Sequence, residues 1–125
     1  KSLAAPDLNG DRSPDLSFGN NDSPMDGFLQ KVDPAGAGGR HIAVRLQGSP
    51  ANPTAVGARV TLNGRQHAEV RAGAGYLSQS PPTLYFGRGD SEILESVTVR
   101  WPDGTVSDFQ PPQSGDNKVL VLRKK

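Results

Sequence analysis

Through the second half of the chain, apolar and polar residues alternate at a spacing of two. In "HIAVRLQ", residues 41–47, Ile42, Val44 and Leu46 alternate with Ala43, Arg45 and Gln47, the period of a strand buried on one face. "ARVTLNGRQHAEVRA" repeats the pattern on either side of Asn63-Gly64, with Ala58, Val60 and Leu62 in one set and Ala68, Val70 and Ala72 in the other. A two-residue turn at Asn63-Gly64 would send the two sets to opposite faces. An odd-length connection, bulged with Gly64 left-handed, brings them to the same face, so the bulged turn is predicted. Further strands are predicted in "TLYFG", in "ESVTVRW" with Val97, Val99 and Trp101 on one face, and in "TVSDF" beyond a Pro102-Asp103-Gly104 turn. The last, "KVLVLR", is apolar enough to be covered on both faces.

The first thirty residues are sparser. Leu16 to Phe18 and "FLQKV" are candidate strands. They make one hairpin, marginal on its own in water, so it must lean on something. Residues 33–39, "DPAGAGG", read as a linker. The expected organisation is an N-terminal repeat fragment over residues 1–32, this linker, and a β domain over residues 40–125. The expected fold class is all-β: an antiparallel β-sandwich or barrel of about seven strands, with an N-terminal hairpin that carries a calcium-type loop.

Composition agrees with short elements and tight turns: 125 residues hold 15 Gly and 11 Pro, and only 34% are apolar. A formal net charge of +1 with scattered basic residues argues against a nucleic-acid surface. There is no cysteine, which excludes thiolate metal sites and disulfides. No apolar run reaches the length of a membrane-spanning helix.

The chemistry concentrates near the start, in "DLNGDRSPDL". Asp7, Asn9 and Asp11 occupy loop positions one, three and five, the Ser13 carbonyl falls at seven and Asp15 at nine. Alternating hard oxygens in a tight loop suit calcium. Phe18 stands at position twelve, where an EF-hand has its bidentate glutamate, so this is not an EF-hand. The shorter pattern resembles the calcium loop of FG-GAP and related propeller repeats, except that Arg12 stands where those loops carry glycine. A left-handed Arg12 would cost about 1–2 kcal/mol, and Gly10 is placed to take part of the bend. The same residues also suit a cluster of Asx-turns without an ion. If calcium binds, the ion is structural and weakly held, at about 10⁻⁴–10⁻³ M.

"RHIAVRLQGSPANPTAVGARVTL", "VRAGAGYLSQSPPTLYFGRG" and "VTVRWPDG" together resemble the ASPIC/UnbV domain, which follows FG-GAP repeats in secreted proteins. The resemblance runs from about Arg40 to Gly104. It implies an extracellular, non-catalytic module, and it agrees with the calcium-type loop upstream. Arg88 departs from the apolar residue the family tends to carry at that point.

Catalytic candidates are few. His41 and His67 fall on the polar faces of predicted strands and are read as solvent-facing, and Ser78 and Ser80 lack a nucleophile elbow. "GRGDS" contains Arg88-Gly89-Asp90, the tripeptide read by integrins, although its glycines also serve as plain turn residues. Tyr76, in a Gly-rich loop, is the aromatic best placed to face a sugar. The function expected is therefore extracellular binding or assembly with a structural calcium ion. The partner would be a protein, a glycan or other copies of the chain, with no nucleic acid and no membrane span. A carbohydrate-binding sandwich is the alternative.

Overall fold

The computed structural model describes residues 1–31, 40–89, 93–111 and 119–125. Among them are ten strands and no helix, so no helix is long and apolar enough to cross a membrane. The strands are β1 Ser2–Ala4, β2 Leu16–Gly19, β3 Asp26–Phe28, β4 Arg40–Gln47, β5 Arg59–Leu62, β6 Gln66–Glu69, β7 Thr83–Arg88, β8 Val97–Arg100, β9 Val106–Phe109 and β10 Val119–Arg123. They form three sheets, ordered β1-β2-β3, β10-β4-β7 and β6-β5-β8-β9.

The last two sheets face each other as a sandwich, and among the described strands they do not close into a barrel. Val44, Leu46 and Phe86 from one sheet meet Val60, Leu62, Val97, Val99 and Trp101 from the other, with Ala55, Ala58 and Val70 at the margins. Each side chain of Val, Leu or Phe size buried this way is worth about 1.5–3 kcal/mol, so this cluster is what holds the sandwich. Trp101 is its largest member. Its indole N–H donates to Ser107 Oγ at 2.9 Å, so the polar end of the ring is also satisfied.

The Asn63-Gly64 connection is odd in length, as the alternation predicts. Leu62 pairs with Gln66 and Val60 with Ala68, which brings Ala58, Val60 and Leu62 to the core side together with Ala68 and Val70; Ala72, past the end of β6, is exposed. Gly64 is left-handed with φ 64°, and Asn63 is as well, with φ 48°. Asn63 tolerates that conformation better than most side chains. Its Oδ1 accepts the backbone N–H of Glu95 at 2.8 Å, tying the turn to the segment that enters β8.

Four expectations need correcting. First, the sandwich is not wholly antiparallel, because β10 runs parallel to β4, with Val119 opposite Ala43 and Arg123 opposite Gln47. Second, β10 is an edge strand rather than one covered on both faces, and Val121 is 48% exposed. Third, the N-terminal part is a three-stranded sheet, not a hairpin, since Ser2–Ala4 adds to β2. Gly19 leaves room for the Ser2 hydroxyl, which a Cβ there would force to turn aside. Its third strand is Asp26–Phe28 instead of "FLQKV", of which residues 29–31 lie in no strand and Val32 lies outside the described residues; the Gln30 N–H donates to Asp15 at 2.8 Å.

The fourth correction concerns β4. It is the middle strand of its sheet and its first half is covered on both faces, so His41 and Ala43 are buried although the alternation places them toward solvent, while Arg45 and Gln47 on the same face are exposed. The cover is the N-terminal segment. His41 Nε2 donates to the Arg12 carbonyl at 2.7 Å, and the Ala5 N–H donates to Ser80 Oγ at 3.1 Å. The N-terminal sheet thus leans on the sandwich. Residues 33–39, read as a linker, lie outside the described residues.

Candidate site: the aspartate loop

Short-range hydrogen bonds shape the loop. Asp7 accepts the backbone N–H of Gly10 at 2.7 Å on one oxygen and that of Arg12 at 2.9 Å on the other. Asn9 Oδ1 accepts Asp11 N–H at 3.0 Å, while its Nδ2 donates to Asp11 at 2.9 Å. The second oxygen of Asp11 accepts Ser13 N–H at 2.8 Å. These bonds hold the Asp11 carboxyl below its ordinary pKa, the Asn9 amide being the largest cause and the Ser13 N–H the next.

Asp15 differs from the others. Its residue is only 1% exposed, and its two oxygens accept Leu8 N–H at 2.7 Å and Gln30 N–H at 2.8 Å. Its own N–H donates to the Pro6 carbonyl at 2.7 Å. One side chain therefore ties the start of the loop to the segment leaving β3. Ser13 is fully buried; its Oγ makes no well-aligned hydrogen bond, although it lies near enough to Asp11 to help lower that carboxyl. The loop bends at both Gly10, φ 78°, and Arg12, φ 72°, so the left-handed arginine anticipated for a loop of this kind is present.

The donor set has the chemistry of a hard-cation site: carboxylates, an amide oxygen and a carbonyl. Each carboxylate oxygen spends one lone pair on an N–H and keeps another. Among the described residues, however, no three His, Cys, Asp or Glu side chains converge closely enough to share a metal ion. The carboxylates face the backbone that they cap, so an ion would have to draw Asp7 and Asp11 toward a common point.

Behind the loop lies Tyr85, opposite Ala43 across the β4–β7 pair, with its ring centroid 5.9 Å from that of His41. Burial is the main cause that raises the Tyr85 pKa, and the charges of Asp7, Asp15 and Asp11 push the same way. The His41–Arg12 hydrogen bond holds the loop against this face of the sheet. Sequence alternation missed His41 as the loop's hydrogen-bond partner, and no signal in the strand itself marks it.

The other candidates lie apart. His67 is an exposed strand residue whose Nδ1 is 2.9 Å from Thr61 Oγ1, as read from the sequence. Arg88 closes β7 and is half buried, Gly89 follows it, and Asp90 lies outside the described residues. Tyr76 is 81% exposed, at a tip formed by the isolated pairing of Gly75 with Ser78.

Fold and site together define a sandwich-type β domain with an acidic loop fastened to its outer face. The sequence profile of the family described as "ASPIC and UnbV" matches residues 48–125, most of the chain, and the chain belongs to that family. The family is typical of extracellular or surface proteins and is not a known catalytic one. The match begins later than the sequence resemblance suggested and reaches the last residue. No curated protein matches the chain.

Proposed function

We propose that the chain is a non-catalytic binding or assembly module working outside the cell, with a structural calcium ion in its aspartate loop. The observation that carries the binding role is the outward face of the N-terminal sheet. Leu3 pairs with Phe18 and Leu16 with Phe28, which puts all four on one face. Leu3, Leu16 and Phe28 are exposed, and Phe28 meets Phe18 edge to face at 5.5 Å. The opposite face carries only small residues: Ser2, Ala4, Ser17, Gly19 and Gly27. A sheet that turns its bulky apolar side chains to solvent is built to be covered. Size-exclusion chromatography with light scattering tests this reading. Self-association that is lost on Phe28→Ser supports assembly, and a wild type that stays monomeric at its highest attainable concentration removes it.

Calcium would be held by Asp7, Asn9, Asp11, the Ser13 carbonyl and Asp15, and would neutralise three carboxylates where the loop joins the sandwich. The lone pairs left on the Asp7, Asp11 and Asp15 oxygens after they accept their N–H groups support this reading. With a dissociation constant of about 10⁻⁴–10⁻³ M, calcium at about 10 mM would stabilise the fold by about 1–3 kcal/mol. Calorimetric titration of wild type beside Asp11→Ala decides the matter. Heat from the wild type alone is expected, and identical heats remove the ion from the account.

A carbohydrate-binding reading is favoured by one observation, the exposure of Tyr76 beside Leu77, which holds φ 57° at the same tip. A glycan array with Tyr76→Ala as control tests it.

A further inference from the structure

We propose that Arg59 and Arg100 form a binding site for the acidic groups of a polysaccharide chain. This goes beyond the binding role above and is argued from the four-stranded sheet alone, not from the aspartate loop or the N-terminal sheet.

The register of the four-stranded sheet β6-β5-β8-β9 places the two arginines. Val60 and Leu62 of β5 point into the core, as do Val97 and Val99 of β8. Arg59 and Arg100 therefore point outward, and they stand directly opposite each other across the β5–β8 pair. Like charges facing each other across strands are unfavourable. Neither guanidinium has an ion-pair or hydrogen-bond partner among the described residues. Glu69, on the other side of Arg59, is turned to Arg71 at 3.7 Å. Asp108, one row further along, accepts Thr98 Oγ1 at 2.7 Å. Asp108 is engaged elsewhere and Glu69 stays at the edge of the cleft as a single exposed carboxylate, so the two guanidinium groups outnumber the acids that face them. A carboxylate or sulfate placed between them would receive paired charge-assisted hydrogen bonds and remove the repulsion.

The surroundings suit a chain rather than a single ion. The pair lines a cleft of about 270 Å³ whose other walls are Gly57, Glu69, Trp101, Pro102 and Gly104. A shallow groove of about 520 Å³ shares Gly57 and Glu69 with this cleft and runs on past Arg71 and Gly73. Gly57 holds φ 89°, a conformation that favours glycine, beside the Pro102 ring. β5 and β8 are inner strands, so no free backbone edge lies beside the pair. A peptide recruited by strand addition needs such an edge. A polysaccharide with an acidic group on each repeat needs only a charged face and a groove.

Calorimetry at about 0.15 M salt tests this with a sulfated heparin octasaccharide, an oligogalacturonate that carries carboxylates alone, and poly-glutamate. Three proteins are compared: wild type, Arg59→Gln/Arg100→Gln, and Arg123→Gln/Lys125→Gln, which loses equal charge elsewhere. Either saccharide is expected to bind wild type, with the preferred one showing whether sulfate or carboxylate is the source. The first double variant should weaken that binding about tenfold or more, the second less than about twofold. The first variant should melt no lower than wild type, which separates a lost site from a lost fold. Three results would overturn the proposal: no saccharide binding, equal weakening in both variants, or poly-glutamate held as tightly with the same loss. Monomeric behaviour in light scattering would leave this result readable, because no tested residue touches the N-terminal sheet.

Discussion

Replacing Asp15 by alanine is the most direct probe of how the N-terminal sheet is held. The substitution removes both oxygens that receive the Leu8 and Gln30 N–H groups. Hydrogen bonds to a charged acceptor contribute about 1.5–3 kcal/mol each. Both bonds are partly buried, and Leu8 and Gln30 are themselves exposed residues, so water will recover part of the loss. A net destabilisation of about 2–4 kcal/mol follows, a large share of the roughly 5–15 kcal/mol that holds a typical domain. Amide hydrogen exchange is the sharper assay, because it reads the two donors themselves. Exchange at Leu8 and Gln30 should rise by roughly 30- to 1,000-fold. Amides in the β5–β8 pair should change only as far as the sandwich opens together with the N-terminal sheet. Asp15→Asn keeps the shape but sets an amide N–H₂ against a backbone donor, so it should recover no more than half of the loss. Unchanged exchange at Leu8 and Gln30 in Asp15→Ala would refute the view that this carboxylate is the fastener.

Two further outcomes are expected. Ser107→Ala leaves the buried Trp101 indole N–H unpaired and should cost about 1–3 kcal/mol, read from urea denaturation followed by Trp101 fluorescence; a cost below about 0.5 kcal/mol would show that the bond adds nothing. Asp103 is held at about 2, well below the ordinary 3.8, chiefly by Lys124, whose Nζ donates to it, and then by Thr105. Because the folded value is the lower one, the carboxylate's contribution to stability is complete above the ordinary value and is lost as pH falls toward about 2. Wild type and Asp103→Asn melting curves should therefore converge across that window, and a constant gap down to pH 2 would place the effect elsewhere.

Strand periodicity was legible because the sandwich has one dry side, and each of Val44, Leu46, Val60, Val97 and Val99 sits where alternation puts it. The bulge at Asn63-Gly64 was legible for the same reason: two apolar sets had to share a face. What alternation could not reveal was anything that depends on a distant segment. His41 looks solvent-facing within its own strand and becomes buried only because residues 5–15 fold over it. β10 looks like a central strand because its residues are apolar, yet its place at an edge is decided by which strand it joins. The acidic spacing of Asp7, Asn9, Asp11 and Asp15 marked the loop as special without showing where the oxygens would point. Arg59 and Arg100 were each visible as polar-face residues, but 41 positions separate them, and only the β5–β8 register makes them neighbours.

The parallel pairing of β10 with β4 has a consequence for the order of events during synthesis. β4 is translated early, but the strand that completes one of its flanks arrives more than seventy residues later. Until then β4 keeps an open edge with Val44 and Leu46 on its inner side, and a ribosome that stalls before Val119 leaves that edge available to any other chain. The last strand therefore works as a latch, and a chain shortened before it should be insoluble rather than merely less stable.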